Sequence, residues 1–403
     1  MNRLYNLSRN AALSAIAFVS MTFVSGAQNS AEVVLASVEK NNPELQALRK
    51  RTESEKYGFK AERMVEAPEV GFDYLWGSPA DIGTRKDISV TQSIDIATIS
   101  GTKGKIAKSE SELSDMQFNV RRQEILLQAK LLYINIIYCN AVGAELERRL
   151  ERSEKVESVY RDMQVRGETD MIEVNKAHLA YLAQRNALAR NKMEADGFRL
   201  ELQRLNGGEP LEINDLSYVR RDMLPADFDT WYKEEVADRS PEIRAARQNV
   251  KVNEAVARGI KMSSCPTITA GYMAELVKGS NFRGLTLGLS IPLWSARSKT
   301  RQANLSCEAS RLEVKDVEAS EYSALRSLYE KASGLKDLSD ELALSLAVSD
   351  EAMSMTEKKF NEGEISLMDS IMELSLYYSV VDESLAASKD YDLALAELNS
   401  WSL

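Results

Sequence analysis

The chain is written twice, and that duplication limits its folds more than any other feature. Asn42-Pro43-Glu44-Leu45 returns 198 residues later as Ser240-Pro241-Glu242-Ile243, and Pro68 returns at the same spacing as Pro266. Gly167 and Gly363, each in a sharp acidic turn, stand 196 residues apart. Because internal repeats dictate architecture, length alone is a poor guide, although 403 residues would otherwise suggest two or three domains. The reading is one elongated body of two similar halves. Each half has a helix, two strands, a very long helix, a tip and another helix. The boundaries are 1–27 for a signal peptide, 28–205 for the first repeat, 206–231 for a lateral segment between repeats, and 232–403 for the second repeat.

Arg3 and Arg9 precede the mostly apolar run Ala11 to Val24, and Ser25-Gly26-Ala27 supplies the small residues of a cleavage site. This predicts secretion, with cleavage near Ala27. A membrane anchor is the competing reading, disfavoured because the run is short for a span. No later segment is expected to be a transmembrane helix. The net charge of -10 becomes -12 without the two leader arginines, which speaks against nucleic acid and against adsorption to anionic lipid. Cys139, Cys265 and Cys307 lie far apart and read as small buried hydrophobes.

After Pro68 the period changes from helical to two. Val70, Phe72, Tyr74 and Trp76 alternate with smaller or polar residues, as do Ile88, Val90, Ile94 and Ile96. The second half repeats this with Ile268, Ala270, Tyr272, Ala274 and Leu276, then Leu285, Leu287, Leu289, Ile291 and Leu293. Each run is about nine to eleven residues, the length of a tilted membrane strand. Trp76 and Trp294 fall at strand ends, where an interfacial aromatic girdle would sit. A soluble sheet with one buried face would show the same alternation. Four strands cannot close a barrel in lipid, so spanning would require several chains, and three would supply twelve strands.

Heptad spacing marks the helices as coiled coils: Ile106, Leu113, Val120, Leu127, Ile134 and Ala141, then Leu367, Leu374 and Val381 beside Ile371, Tyr378 and Leu385. The first long helix, about 103–165, would reach roughly 90 to 100 Å. The helices about 31–66 and 171–205, stacked end to end, would accompany it. At the tips, Gly363 suits the left-handed helix end, and Ser366 with Asp369 reads as a capping box. Asp170 caps the equivalent helix after Gly167, with Glu173 at its third position.

The Asn-Pro-Glu-Leu and Ser-Pro-Glu-Ile openings, the strand exit Ser290-Ile291-Pro292-Leu293-Trp294, and the tips Phe360-x-x-Gly363-x-x-Ser366-x-x-Asp369 and Gly167-x-x-Asp170-x-x-Glu173 together resemble the TolC family of outer-membrane efflux proteins. The likeness covers essentially the whole mature chain. It implies a mainly α fold with a membrane β-barrel: a homotrimer whose twelve-stranded barrel, four strands per chain, lies in outer-membrane lipid and continues as a periplasmic α-helical barrel. The implied function is passive passage of substrate from an inner-membrane pump and a periplasmic adaptor to the exterior, gated at the tips. The first copy departs from the motif at Gln164, where the second has Phe360, and at Asp170, where it has Ser366. Ser93-Ile94-Asp95-Ile96 likewise replaces the family's strand exit.

Threefold symmetry would multiply each tip carboxylate into a ring, and such rings favour cations. The candidate gate residues are Gly167, Asp170, Glu173, Glu362, Gly363, Glu364, Ser366, Asp369 and Glu373, for which helix capping and solvation are the competing roles. An enzyme is not expected. The only histidine, His178, sits within a helix, no nucleotide or zinc motif occurs, and neither cofactor nor metal is called for. Met353, Met355, Met368 and Met372 read as core filling rather than a soft-metal site. The alternative to a channel is a secreted periplasmic coiled-coil scaffold without a pore, which leaves four membrane-length strands unexplained.

Overall fold

A buried asparagine breaks what the sequence presents as one long first helix. In the computed structural model, which describes residues 31–78, 83–220, 223–263, 265–277, 279–291 and 296–403, helix α1 (31–41) stops at Asn42 and α2 runs Pro43–Glu62. Asn42 Oδ1 accepts the Leu45 amide at 2.9 Å, and its Nδ2 donates to the Leu205 carbonyl at 2.8 Å. Pro43, which has no N–H to satisfy, opens the new helix. The 1–27 leader lies outside the described residues.

The chain continues as β1 (Glu69–Trp76), β2 (Thr84–Ile94), a single turn α3 (Ile96–Ile99), α4 (Thr102–Val165) and α5 (Met171–Leu205). After the 206–227 segment come α6 (Phe228–Trp231), a π-helical turn Tyr232–Val236, α7 (Pro241–Ser263), β3 (Thr267–Val277), β4 (Ser280–Ser290), α8 (Ala296–Asn361), α9 (Leu367–Leu398) and a final 3-10 turn Ser400–Ser402. Two ends differ from expectation. Ile96 leaves the strand because Asp95 caps α3, accepting the Thr98 amide at 2.5 Å while its other oxygen binds Lys103. The last strand spans Ser280–Ser290 rather than 285–293, and Leu293 is outside the described residues.

The described residues form two compact units. One comprises those of Met1–Gln46, Arg122–Tyr232 and Ser323–Leu403. Its core gathers Val38, Leu45, Ile125, Ala129, Tyr133, Ile136, Ile137, Leu202, Leu205 and Ile213. The segment between the repeats docks here: Ile213 enters the core, Asn140 Nδ2 donates to the Ile213 and Asp215 carbonyls, and the Arg220 guanidinium holds the buried Asp392. Burial pushes the Asp392 carboxyl above its ordinary range, and Arg220 draws it part of the way back. Phe228 is fully buried between Tyr232 and Tyr329.

By length and composition α4 contains a stretch apolar enough to cross a membrane, contrary to expectation. Half of that stretch is buried, and Ile125, Ala129, Tyr133, Ile136 and Ile137 account for its apolarity as core side chains.

The other unit comprises Ala47–Arg121 and Lys233–Tyr322. Here α7 approaches the start of α4 closely enough that a Cβ on Gly259 would stand 2.6 Å from Ile106 Cδ1. Arg247 bridges Asp238 and Glu318, and Gln248 donates to the Ser109 carbonyl and Glu112. All four strands form one antiparallel sheet in the order β1-β2-β3-β4.

Candidate functional site

Register sorts the strand side chains onto two unlike faces, since successive residues point to opposite sides. On one face Val70, Val90, Tyr272 and Leu285 lie in one row across the four strands, with Phe72, Ile88 and Ala274 in the next. This face is largely apolar, with Arg283 ending the second row, and is uncovered among the described residues: Leu285 is 86% exposed, Leu287 83% and Trp76 78%. On the other face Ser93, Thr269 and Gly288 share a row, as do Thr91, Gly271 and Thr286. Ser93 and Thr269 join their hydroxyls at 2.9 Å. Gly271 is required there, because a Cβ would meet the Thr286 hydroxyl and the Val90 carbonyl at 2.7 Å. Nearer the turns this polar face carries Asp73, Asp87 and Glu275 in one row, with Arg85 bound to Asp87 and Glu275. Trp76 ends β1 beside Tyr74, at a ring separation of 6.2 Å, whereas Trp294 lies outside the described residues.

The two tips use one backbone device. At the first, Gly167 takes φ 73°, its amide reaches the Gln164 carbonyl, and the Glu168 amide reaches back to Met163 at 2.8 Å. At the second, Gly363 takes φ 75°, its amide reaches Phe360, and the Glu364 amide reaches Lys359 at 2.9 Å. Both are helix ends closed by a left-handed glycine. Asp170 caps α5 by accepting the Ile172 and Glu173 amides. Ser366 and Asp369 cap α9 reciprocally in a capping box.

Side chains separate the tips. Glu173 binds Lys176 at 2.7 Å, Arg166 binds Glu168, and Glu157 on α4 is held by Arg161 and by His178 of α5 at 2.8 Å. The His178 bond, with Arg161 beside it, holds the Glu157 carboxyl below its ordinary range. The carboxylates of Glu362, Glu364 and Glu373 make no hydrogen bond or ion pair among the described residues. No such bond joins the Gly167, Asp170 and Glu173 group to the Glu362–Glu373 group.

The two hairpins are instead joined through Arg149, Arg152 and Asp382, which the sequence did not single out. Arg149 of α4, 3% exposed at its side chain, binds Glu145 on its own helix and both oxygens of Asp382 on α9, and stacks over the Tyr378 ring at 4.2 Å. One turn on, Arg152 binds Glu357 of α8 at 2.7 Å and the Tyr378 hydroxyl at 2.9 Å. Beside them a cavity of about 460 Å³ opens between Ala177, Ala180 and Ala183 of α5 and Ser370, Leu374 and Tyr378 of α9. The available sequence signal was Arg149 in the rhythm Leu146, Arg149, Ser153, Val156, where a cation occupies a helix seam. Among the described residues no cluster of histidine, cysteine and carboxylate could hold a metal.

Neither a protein-family model nor a curated protein matches the sequence. Solved structures do match by fold. The chain superposes on CusC, whose structures concern transmembrane channel formation, with a TM-score of 0.76 at 12% identity, covering 92% of each chain. It matches the open state of the Neisseria gonorrhoeae MtrE outer membrane channel with a TM-score of 0.76 at 15% identity, over 92% of this chain and 88% of that one. The Campylobacter jejuni CmeC outer membrane channel gives 0.71 at 12% identity, over 93% and 84%. The fold of this chain is that of these outer membrane channels.

Proposed function

We propose that the chain is the outer-membrane channel of an efflux or secretion system, and that three copies close one twelve-stranded barrel continued by a periplasmic helical tunnel. The observation that carries this is the four-stranded sheet, with an exposed apolar face, a polar face of small residues, and two unpaired outer edges on β1 and β4. In lipid an open edge is not tolerated, so neighbouring copies must pair with both. The polar face then lines a water-filled lumen, and Trp76 sits at the membrane interface.

The helices support the same assembly. α5 buries Val174, Leu188, Ala195 and Leu202 at heptad positions and leaves Ile172, Leu179, Met193 and Leu200 exposed on a second heptad seam. Two residues of offset turn that second seam to the far side of the helix. A helix with two opposed apolar seams suits a closed ring, in which each helix touches two neighbours.

In this reading residues 1–27 direct export, 28–205 and 232–403 are the two repeats, and 206–231 forms the lateral segment between them. A periplasmic adaptor and an inner-membrane pump engage the tip end. Gly167, Asp170, Glu173, Glu362, Gly363, Glu364, Ser366, Asp369 and Glu373 border the gate, whose unpaired second-tip carboxylates form cation-favouring rings. The fold neighbours are channels, which argues against an enzyme.

The test is mass and planar-bilayer conductance on one detergent-purified sample. A trimer with small, cation-preferring conductance is expected. A soluble monomer or dimer that never conducts would move the reading to a periplasmic scaffold.

A further inference from the structure

Charge on the sheet is segregated by face in a way that the channel reading does not use. Every carboxylate of the four strands, Glu69, Asp73, Asp87 and Glu275, falls on the polar face, and Arg85 answers two of them there. The apolar face carries two cations and no acid: Lys86, opposite Tyr74 and Leu276, and Arg283, opposite Ala274. Both stand near the turns joining the strands, beyond the wholly apolar rows through Ile268 and Tyr272. Lys86 Nζ rests 5.5 Å over the Tyr74 ring, and Arg283 has no hydrogen bond or ion pair among the described residues.

Closing the sheet with further copies does not supply the missing anions. The strand that would pair with β4 is another copy's β1, whose apolar face offers Val70, Phe72, Tyr74 and Trp76. A cation on a lipid-facing strand is costly at mid-bilayer and nearly free at the interface, where its stem lies along apolar surface and its charge reaches headgroups. Tyr74 and Trp76 mark that level. Two cations with no anionic partner among the described residues, beside an aromatic rim, complement a phosphate, which a guanidinium binds through paired hydrogen bonds.

We propose that Lys86 and Arg283 form a docking surface for the anionic, phosphate-bearing headgroup of a lipid in the turn-side leaflet. This rests on the channel reading, which places the apolar face in lipid. The mature chain's overall acidity is no obstacle, because the acids of the sheet are turned to the opposite face.

The test reconstitutes the full chain into phosphatidylcholine vesicles containing a minor fraction of phosphatidic acid. Carbonate resistance reports insertion, and mass spectrometry reports the lipid retained on extraction into detergent. The wild type is expected to enrich phosphatidic acid over the vesicle ratio by up to about fivefold for each cation. The K86Q/R283Q variant is expected to insert normally and retain lipid at the vesicle ratio, while K86R/R283K keeps the enrichment. Normal insertion without enrichment in the wild type, undiminished enrichment in K86Q/R283Q, or displacement of the lipid by inorganic phosphate would each overturn the headgroup site and leave the channel reading standing. A wild-type chain that fails to insert would overturn both.

Discussion

The two tips share a backbone and differ in everything attached to it. Each ends a helix with a left-handed glycine, Gly167 or Gly363, returns two amides to the last turn, and starts the next helix on an acidic or hydroxyl cap. The first is then stitched by Glu157 to His178 and Arg161, and by Glu173 to Lys176. The second leaves the Glu362, Glu364 and Glu373 carboxylates without a bond among the described residues and is tied instead to the first hairpin through Arg149 and Arg152. A turn needs a few specific residues to exist, whereas its surface charges are free to take another role. The same hairpin can therefore be a self-contained end in one copy and a tethered one in the other.

Removing the tether should have the largest effect. Arg149→Ala strips Asp382 of its partner and leaves Glu145, only 13% exposed, with Arg148 alone. The expected loss is about 2 to 3 kcal/mol of local stability, with Asp382's exposure limiting it. Hydrogen exchange should show α9 deprotected well before α5. Equal deprotection of both would mean that the second hairpin is no more dependent on the tether than the first.

Next come the caps. Asp170→Ala and Ser366→Ala should each cost about 1 kcal/mol, read as faster exchange in the first turn of α5 or α9. Near-equal effects would support the shared backbone device, and a much smaller one at Asp170 would break the parallel.

Electrostatics should then divide the tips. In bilayer recordings, neutralising Glu362, Glu364 and Glu373 to Gln should lower the cation-to-anion permeability ratio, by up to about fivefold, equivalent to ~1 kcal/mol. Glu173→Gln should change it little, because Lys176 already answers that charge. The reverse order would place the first tip nearer the permeation path.

The smallest effect concerns pH. Since the Glu157 carboxyl is held below its ordinary value of about 4.3, the stability it lends is present above that value and lost as pH falls through the lower folded one. Exchange at the first tip should therefore accelerate below about pH 4. Glu157→Gln should remove that component and leave the second tip unchanged.

What depends on local chain chemistry was legible in the sequence. Period two against heptad rhythm marked strands and helices, and a glycine followed by Ser366 and Asp369 specified a turn with its cap, because caps are satisfied within a few residues. The bounds of α5 and the start of α4 followed from the same signals. Where a local rule met a long-range partner, it failed: Asn42 interrupts the first helix by reaching Leu205, 163 positions away. Which carboxylates pair between helices emerged with packing, since an exposed glutamate reads alike whether or not a cation of another helix reaches it. Only the structure set Arg149 against Asp382 across 233 residues and turned every acid of the sheet to one face while Lys86 and Arg283 stayed on the other. Pairing register and helix rotation fix those relations, and both are settled when the whole chain packs, not within any window of its sequence.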